Sequence, residues 1–151
     1  MATIEGTAGA EIEAPIDAVY AIAADIEGSG RWQPEIKLAE CVERDADGNQ
    51  VLVRMETDAK VRRLGSTIRF DYTRPNRIEW AQEEGDLKSL VGRWELEDLG
   101  QERTRVTYSL DVDPGRILGM AIRGPLVDVL RGRMIESMPE KLKSFAERDS
   151  A

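Results

Sequence analysis

An imbalance constrains this chain more than any other feature: six runs of residues alternate apolar and polar, and only one long helix-periodic stretch is left to cover them. The last run is the cleanest. Val106, Tyr108, Leu110 and Val112 alternate with Arg105, Thr107, Ser109 and Asp111. Period two means that one face of a strand is apolar and the other wet, the signature of antiparallel sheets. The same alternation marks Thr3 to Glu13, where Ile4, Gly6, Ala8, Ala10 and Ile12 share a face. It marks Val51, Val53, Met55, Thr57, Ala59 and Val61, then Ile68, Phe70 and Tyr72, then Ile78 and Trp80, then Leu90, Gly92, Trp94 and Leu96. A further strand from Ile36 to Arg44 makes seven. Asp47-Gly48, Gly65, Arg74-Pro75-Asn76 and Leu99 to Glu102 supply turns between them.

Helical spacing occurs in three places. Pro15 suits a first helical turn, and Ile16, Val19, Tyr20, Ile22 and Ala23 follow until Gly28-Ser29-Gly30 ends the element. Arg31 to Glu35 reads as a short second helix or turn, since Pro34 prevents a long helix. From Arg116 to Arg148 the apolar residues Leu118, Ile122, Leu126, Leu130, Met134, Met138, Leu142 and Phe145 recur at threes and fours, with kinks expected at Gly124-Pro125 and Pro139. The order is β-α-α-β6-α. It predicts an α+β domain over 1–151: a seven-stranded curved antiparallel meander wrapped around a long C-terminal helix.

One helix cannot easily fill a bent sheet, so a cavity is expected between them. Its expected walls are the large amphipathic or adaptable residues of the inner faces: Met55, Phe70, Tyr72, Trp80, Trp94 and Tyr108 from the strands, and Met120, Leu126, Leu130 and Met134 from the helix. Trp32 would gate the mouth or simply anchor the short helix. Ordinary core filling is the competing reading for each of these residues.

Composition removes several kinds of function. The net charge is −8, against a nucleic-acid partner and against anionic membranes. The one basic stretch, Arg116 to Arg133, reads as a solvated helix face. There is no histidine and only one cysteine, Cys41, which removes histidine-based nucleophile pairs and the usual zinc ligands. No metal and no cofactor is expected. No run approaches the ~18 apolar residues of a membrane span, and the N-terminus does not have the form of a signal peptide. A cytoplasmic protein, monomer or homodimer without stable membrane insertion, is the expectation. Asp45 to Asn49 resembles a calcium loop only superficially, lacking the downstream glutamate, and reads as a turn.

Four segments in order carry a resemblance to a known family. Ala10 to Tyr20 (AEIEAPIDAVY) resembles the opening of the START-like, birch-pollen-allergen-like superfamily, also called SRPBCC. Trp32-Gln33-Pro34-Glu35-Ile36 is similar to its tryptophan-proline turn. Leu87 to Leu96 resembles the sixth strand of the polyketide cyclase/dehydrase and coenzyme-Q-binding branch, and Thr104 to Tyr108 its last strand. The resemblance implies the helix-grip fold and a deep apolar cavity for a lipid-, quinone- or polyketide-like molecule. Some members catalyse aromatisation and cyclisation.

Two functions therefore stand: binding of a small hydrophobic molecule, or a polyketide cyclase/dehydrase-type reaction on one. The second needs a proton donor and acceptor beside the substrate. Tyr108 and Tyr72 are the candidate catalytic residues, with Asp25 and Glu35 near the entrance as further options. Arg69, out of phase with Ile68 and Phe70, should face solvent, as should Lys88 and Arg93.

Overall fold

The alternation translates directly into burial. In β1 (Ile4–Ile12) the even-numbered residues face the interior and the odd-numbered ones face water. Its partner β7 (Arg103–Asp113) buries Thr104, Val106, Tyr108, Leu110 and Val112 in the same phase. The computed structural model describes residues 3–60 and 62–149. Between these strands lie β2 (Ile36–Arg44), β3 (Gln50–Asp58), β4 (Arg63–Thr73), β5 (Arg77–Gly85) and β6 (Ser89–Gly100). All pairs are antiparallel, and the sheet order is β1-β7-β6-β5-β4-β3-β2. The meander is broken only where β1 lies beside β7, so the chain's first and last strands pair. The α+β architecture of a curved sheet around a C-terminal helix is therefore as the periodicities predicted. Val61, expected to face inward, lies outside the described residues.

One turn falls elsewhere than expected. Gly65 is a strand residue of β4, paired with Glu56. The chain reverses earlier, where the Ala59 N–H donates to the Arg62 carbonyl at 3.1 Å. Asp58 Oδ1 accepts the Lys60 N–H at 3.0 Å, and Lys60 takes a left-handed φ of 69°. An aspartate two residues ahead of an N–H closes an Asx turn as well as a glycine would.

The helices are shorter than their periodicity suggested. α1 (Ile16–Ala24) starts behind Pro15 as expected. The second helix is a single 3₁₀ turn, Ser29–Arg31; Pro34 offers no N–H and pushes Gln33 out of the helical region. The C-terminal stretch divides into α2 (Gly115–Ala121), α3 (Pro125–Arg131), a π-helical turn (Gly132–Glu136) and α4 (Met138–Asp149). Gly124 separates α2 from α3 at φ 62° and ψ −138°, a backbone that glycine alone adopts readily. Beyond it the helix runs on, with one wide turn marked by the Ser137 N–H bonding the Gly132 carbonyl at 2.9 Å. Pro139 explains the widening. It cannot donate to the Ile135 carbonyl, and its ring would crowd that carbonyl in a regular α-helix.

The long helix does not lie across the middle of the sheet. α4 packs against β1, β7 and α1, where Leu142, Ile135, Ile4, Ile12 and Val106 are almost wholly buried. Over the rest of the concave face the covering residues come from α1 and the segment after it, Ala23 to Gln33, and from Leu130 to Met138. That offset leaves room.

Candidate functional site

The room is a cavity of about 140 Å³. Its floor is made by residues of six strands, among them Met55, Ile68, Phe70, Trp80, Trp94 and Tyr108, and its roof by Leu130, Met134 and Met138. The rings form one continuous chain across the floor. Phe70 and Trp80 have centroids 5.8 Å apart, Trp80 and Tyr108 5.7 Å, and Tyr108 and Trp94 4.5 Å. The planes are tilted to one another, and the centroid spacings lie in the range of favourable aromatic contacts. Trp80 finds its place on the floor because Gly92 stands directly across from it in the β5–β6 register. A Cβ there would lie 2.5 Å from the indole.

Of the residues expected on the walls, Met55, Phe70, Trp80, Trp94, Tyr108, Leu130 and Met134 are there. Four are not. Trp32 is buried behind Trp94, centroids 6.2 Å apart, and its Nε1–H has no partner among the described residues. Tyr72 stacks beside Phe70 off the wall. Leu126 packs against the core without reaching the cavity. Met120 is 65% exposed on α2. The expectation for Met120 assumed one unbroken helix from Arg116; the break at Gly124 leaves α2 with only Leu118 buried.

The two tyrosines offered as chemical groups part company. The Tyr72 hydroxyl donates to the Gln50 carbonyl at 2.7 Å and is spent on joining β4 to β3. The Tyr108 hydroxyl reaches the cavity with no hydrogen bond among the described residues; burial alone pushes its ionisation above the ordinary tyrosine range. It is therefore a proton-bearing donor at neutral pH.

The cavity has one polar end. Gln33, Glu35, Asp58 and Arg133 line it there. Glu35 is fixed from both directions: its carbonyl accepts the Asp58 N–H at 2.8 Å, and its carboxylate accepts Lys141 Nζ. This pair is the most sheltered ion pair described, with side chains 12% and 21% exposed. Asp25, the other entrance acid considered, binds Arg31, Gln50 and the Gly28 N–H instead. Arg69 is on the outer face, paired with Glu83 and Glu43, and Lys88 and Arg93 are exposed as expected. Sequence reasoning missed Arg133, which it assigned to a solvated helix face. The available signal was its place three residues after Leu130 and beside Met134, at the edge of the apolar stripe.

Among the described residues, no group of histidine, cysteine and acidic side chains is placed to hold a metal, and no helix is long and apolar enough to cross a membrane.

Comparison with known proteins gives this geometry a setting. A family described as "Polyketide cyclase / dehydrase and lipid transport" matches residues 12–138. A START superfamily protein from Mycobacterium smegmatis superposes with a TM-score of 0.83 at 23% identity, covering 95% of this chain and 97% of that one. The protein TTHA0849 from Thermus thermophilus superposes at 0.82 with 27% identity, covering 97% and 99%. The Zhui aromatase/cyclase of a Streptomyces species superposes at 0.76 with 20% identity, covering 99% and 97%. The first and third of these likenesses bear on the fold alone. An uncharacterized Pseudomonas aeruginosa protein is 29% identical over 122 residues, 70% of this chain, and the match spans 58% of that protein's length.

Proposed function

Because the chain belongs to the polyketide cyclase/dehydrase and lipid transport family, we propose that it binds a small, largely apolar molecule with an aromatic portion in the cavity between sheet and C-terminal helix. The observation that carries this reading is the unbroken floor of rings from Phe70 through Trp80 and Tyr108 to Trp94, with a cavity between it and the roof of Leu130, Met134 and Met138. Apolar area so exposed inside a protein gains free energy when a ligand covers it, at roughly 25 cal/mol per Å². The volume resembles that of an apolar protein cavity able to take a single benzene ring. Met55, Met134 and Met138 on the walls can repack around something larger.

The test uses an uncharged aromatic, 2-naphthamide. Trp80 and Trp94 stand on the cavity wall, so saturable quenching of tryptophan emission and a rise in melting temperature are expected together. Absence of both across such aromatic probes overturns the reading.

One observation favours a second, catalytic reading. The unpartnered Tyr108 hydroxyl could donate to a ligand carbonyl as its enolate forms, the step that an aldol closure requires. A base is less evident, since Glu35 is held by Lys141. If the reading holds, Tyr108→Phe slows turnover of a linear poly-β-ketone by about a hundredfold; unchanged turnover removes Tyr108 from the chemistry.

A further inference from the structure

The ligand reading leaves one charge unexplained. Arg133 lies on the cavity wall, half-buried, and no carboxylate is within salt-bridge distance of it among the described residues. Its neighbours are otherwise engaged. Arg131, two residues back, has Asp128 at 2.9 Å. Glu35, the acid nearest the same end of the cavity, is taken by Lys141. Asp58 lends Oδ1 to the Lys60 N–H and is exposed. Glu136, one turn on, is exposed, and its Oε1 lies over Gly132 rather than in an ion pair with Arg133.

The backbone around Arg133 is itself held in place. In the π turn the Ser137 N–H goes to Gly132, which frees the Arg133 carbonyl from the usual helical partner. That carbonyl accepts Ser137 Oγ at 3.0 Å and Lys141 Nζ at 3.4 Å. Lys141 thus ties the helix at Arg133 to the entrance segment at Glu35. A guanidinium half out of water and without a counter-charge is costly, and π turns are frequent at functional sites.

We propose that Arg133 anchors a carboxylate, so that the cavity takes an amphipathic organic acid: an aromatic or aliphatic body on the ring floor and an anionic group at the polar end. This rests on the ligand reading above and adds the chemical class. A fork of N–H donors matches a carboxylate in two parallel hydrogen bonds, which a neutral hydrocarbon or quinone cannot supply.

The experiment compares 2-naphthoate with its uncharged isostere 2-naphthamide, by calorimetry and tryptophan quenching, on the full chain. Wild type is expected to bind the acid about tenfold more tightly or better, the scale of a charge-assisted hydrogen bond. Arg133→Gln should abolish that preference, and Arg133→Lys should retain part of it. Equal affinity of wild type for the two probes overturns the anchor and leaves the cavity reading standing. So does a preference that survives in Arg133→Gln. Failure of both probes to bind wild type overturns the cavity reading and the anchor with it. Should Arg133→Gln not fold, the wild-type preference and the Arg133→Lys comparison decide the matter.

Discussion

Tyr108 and Tyr72 show how little residue type says about role. Both are inward tyrosines, one on β4 and one on β7, and both have their ionisation raised by burial. One hydroxyl closes a strand-to-strand hydrogen bond and the other faces open space. The difference carries a stability consequence for the Tyr108→Phe variant. That hydroxyl has no partner to lose, so urea denaturation should find its stability within about 0.5 kcal/mol of wild type. A loss of several times that would mean a hidden partner for the hydroxyl. Arg133 makes the same point from the charged side. Arg131, two residues back, has Asp128 beside it, whereas Arg133 has no acid within reach among the described residues.

At the scale of elements, the sheet was legible and the helices were less so. Strand bounds follow the period-two pattern closely because each strand meets water on one side, so a single misplaced residue would expose an apolar group or bury a charge. Helix continuity is decided differently. A three-four spacing persists through Gly124 and through the π turn, yet the backbone breaks at the first and widens at the second. Pro125, Pro139 and Gly124 could be seen in advance as interruptions. What they did to Met120, swung out to solvent, depends on a glycine dihedral that spacing does not encode. The pairing of β5 with β6 offers a test at this scale. Gly92→Ala would set a methyl within 2.5 Å of the Trp80 indole. The ring must leave the floor, at about 1–3 kcal/mol. Chemical denaturation should show that loss together with red-shifted tryptophan emission; unchanged stability and emission would mean that the floor is not packed as described.

The whole molecule makes an alkaline prediction. The chain has three tyrosines, and all three are shifted upward. Burial dominates in each, opposed at Tyr20 by the neighbouring Arg74. An unfolded tyrosine ionises near pH 10. A group whose folded-state ionisation is raised contributes stability that is fully present below that point and is lost as pH climbs through the interval up to its folded value. Stability should therefore fall steadily above about pH 10, and tyrosinate absorbance should rise together with loss of the folded circular dichroism signal. A normal tyrosine titration in the still-folded protein would contradict the burial described for these rings.

By itself the sequence determined the class of fold, the strand phases, the apolar character of the interior and the kinds of chemistry that a chain without histidine must forgo. These follow from periodicity and composition, which are local and add up residue by residue. Only the tertiary structure decided that the helix packs toward β1 and β7, that a cavity opens over β3 to β7, and that Arg133 borders it while Glu35 is claimed by Lys141. Those outcomes turn on groups far apart in the chain competing for the same space and the same counter-charges, and that competition is settled only when the elements meet.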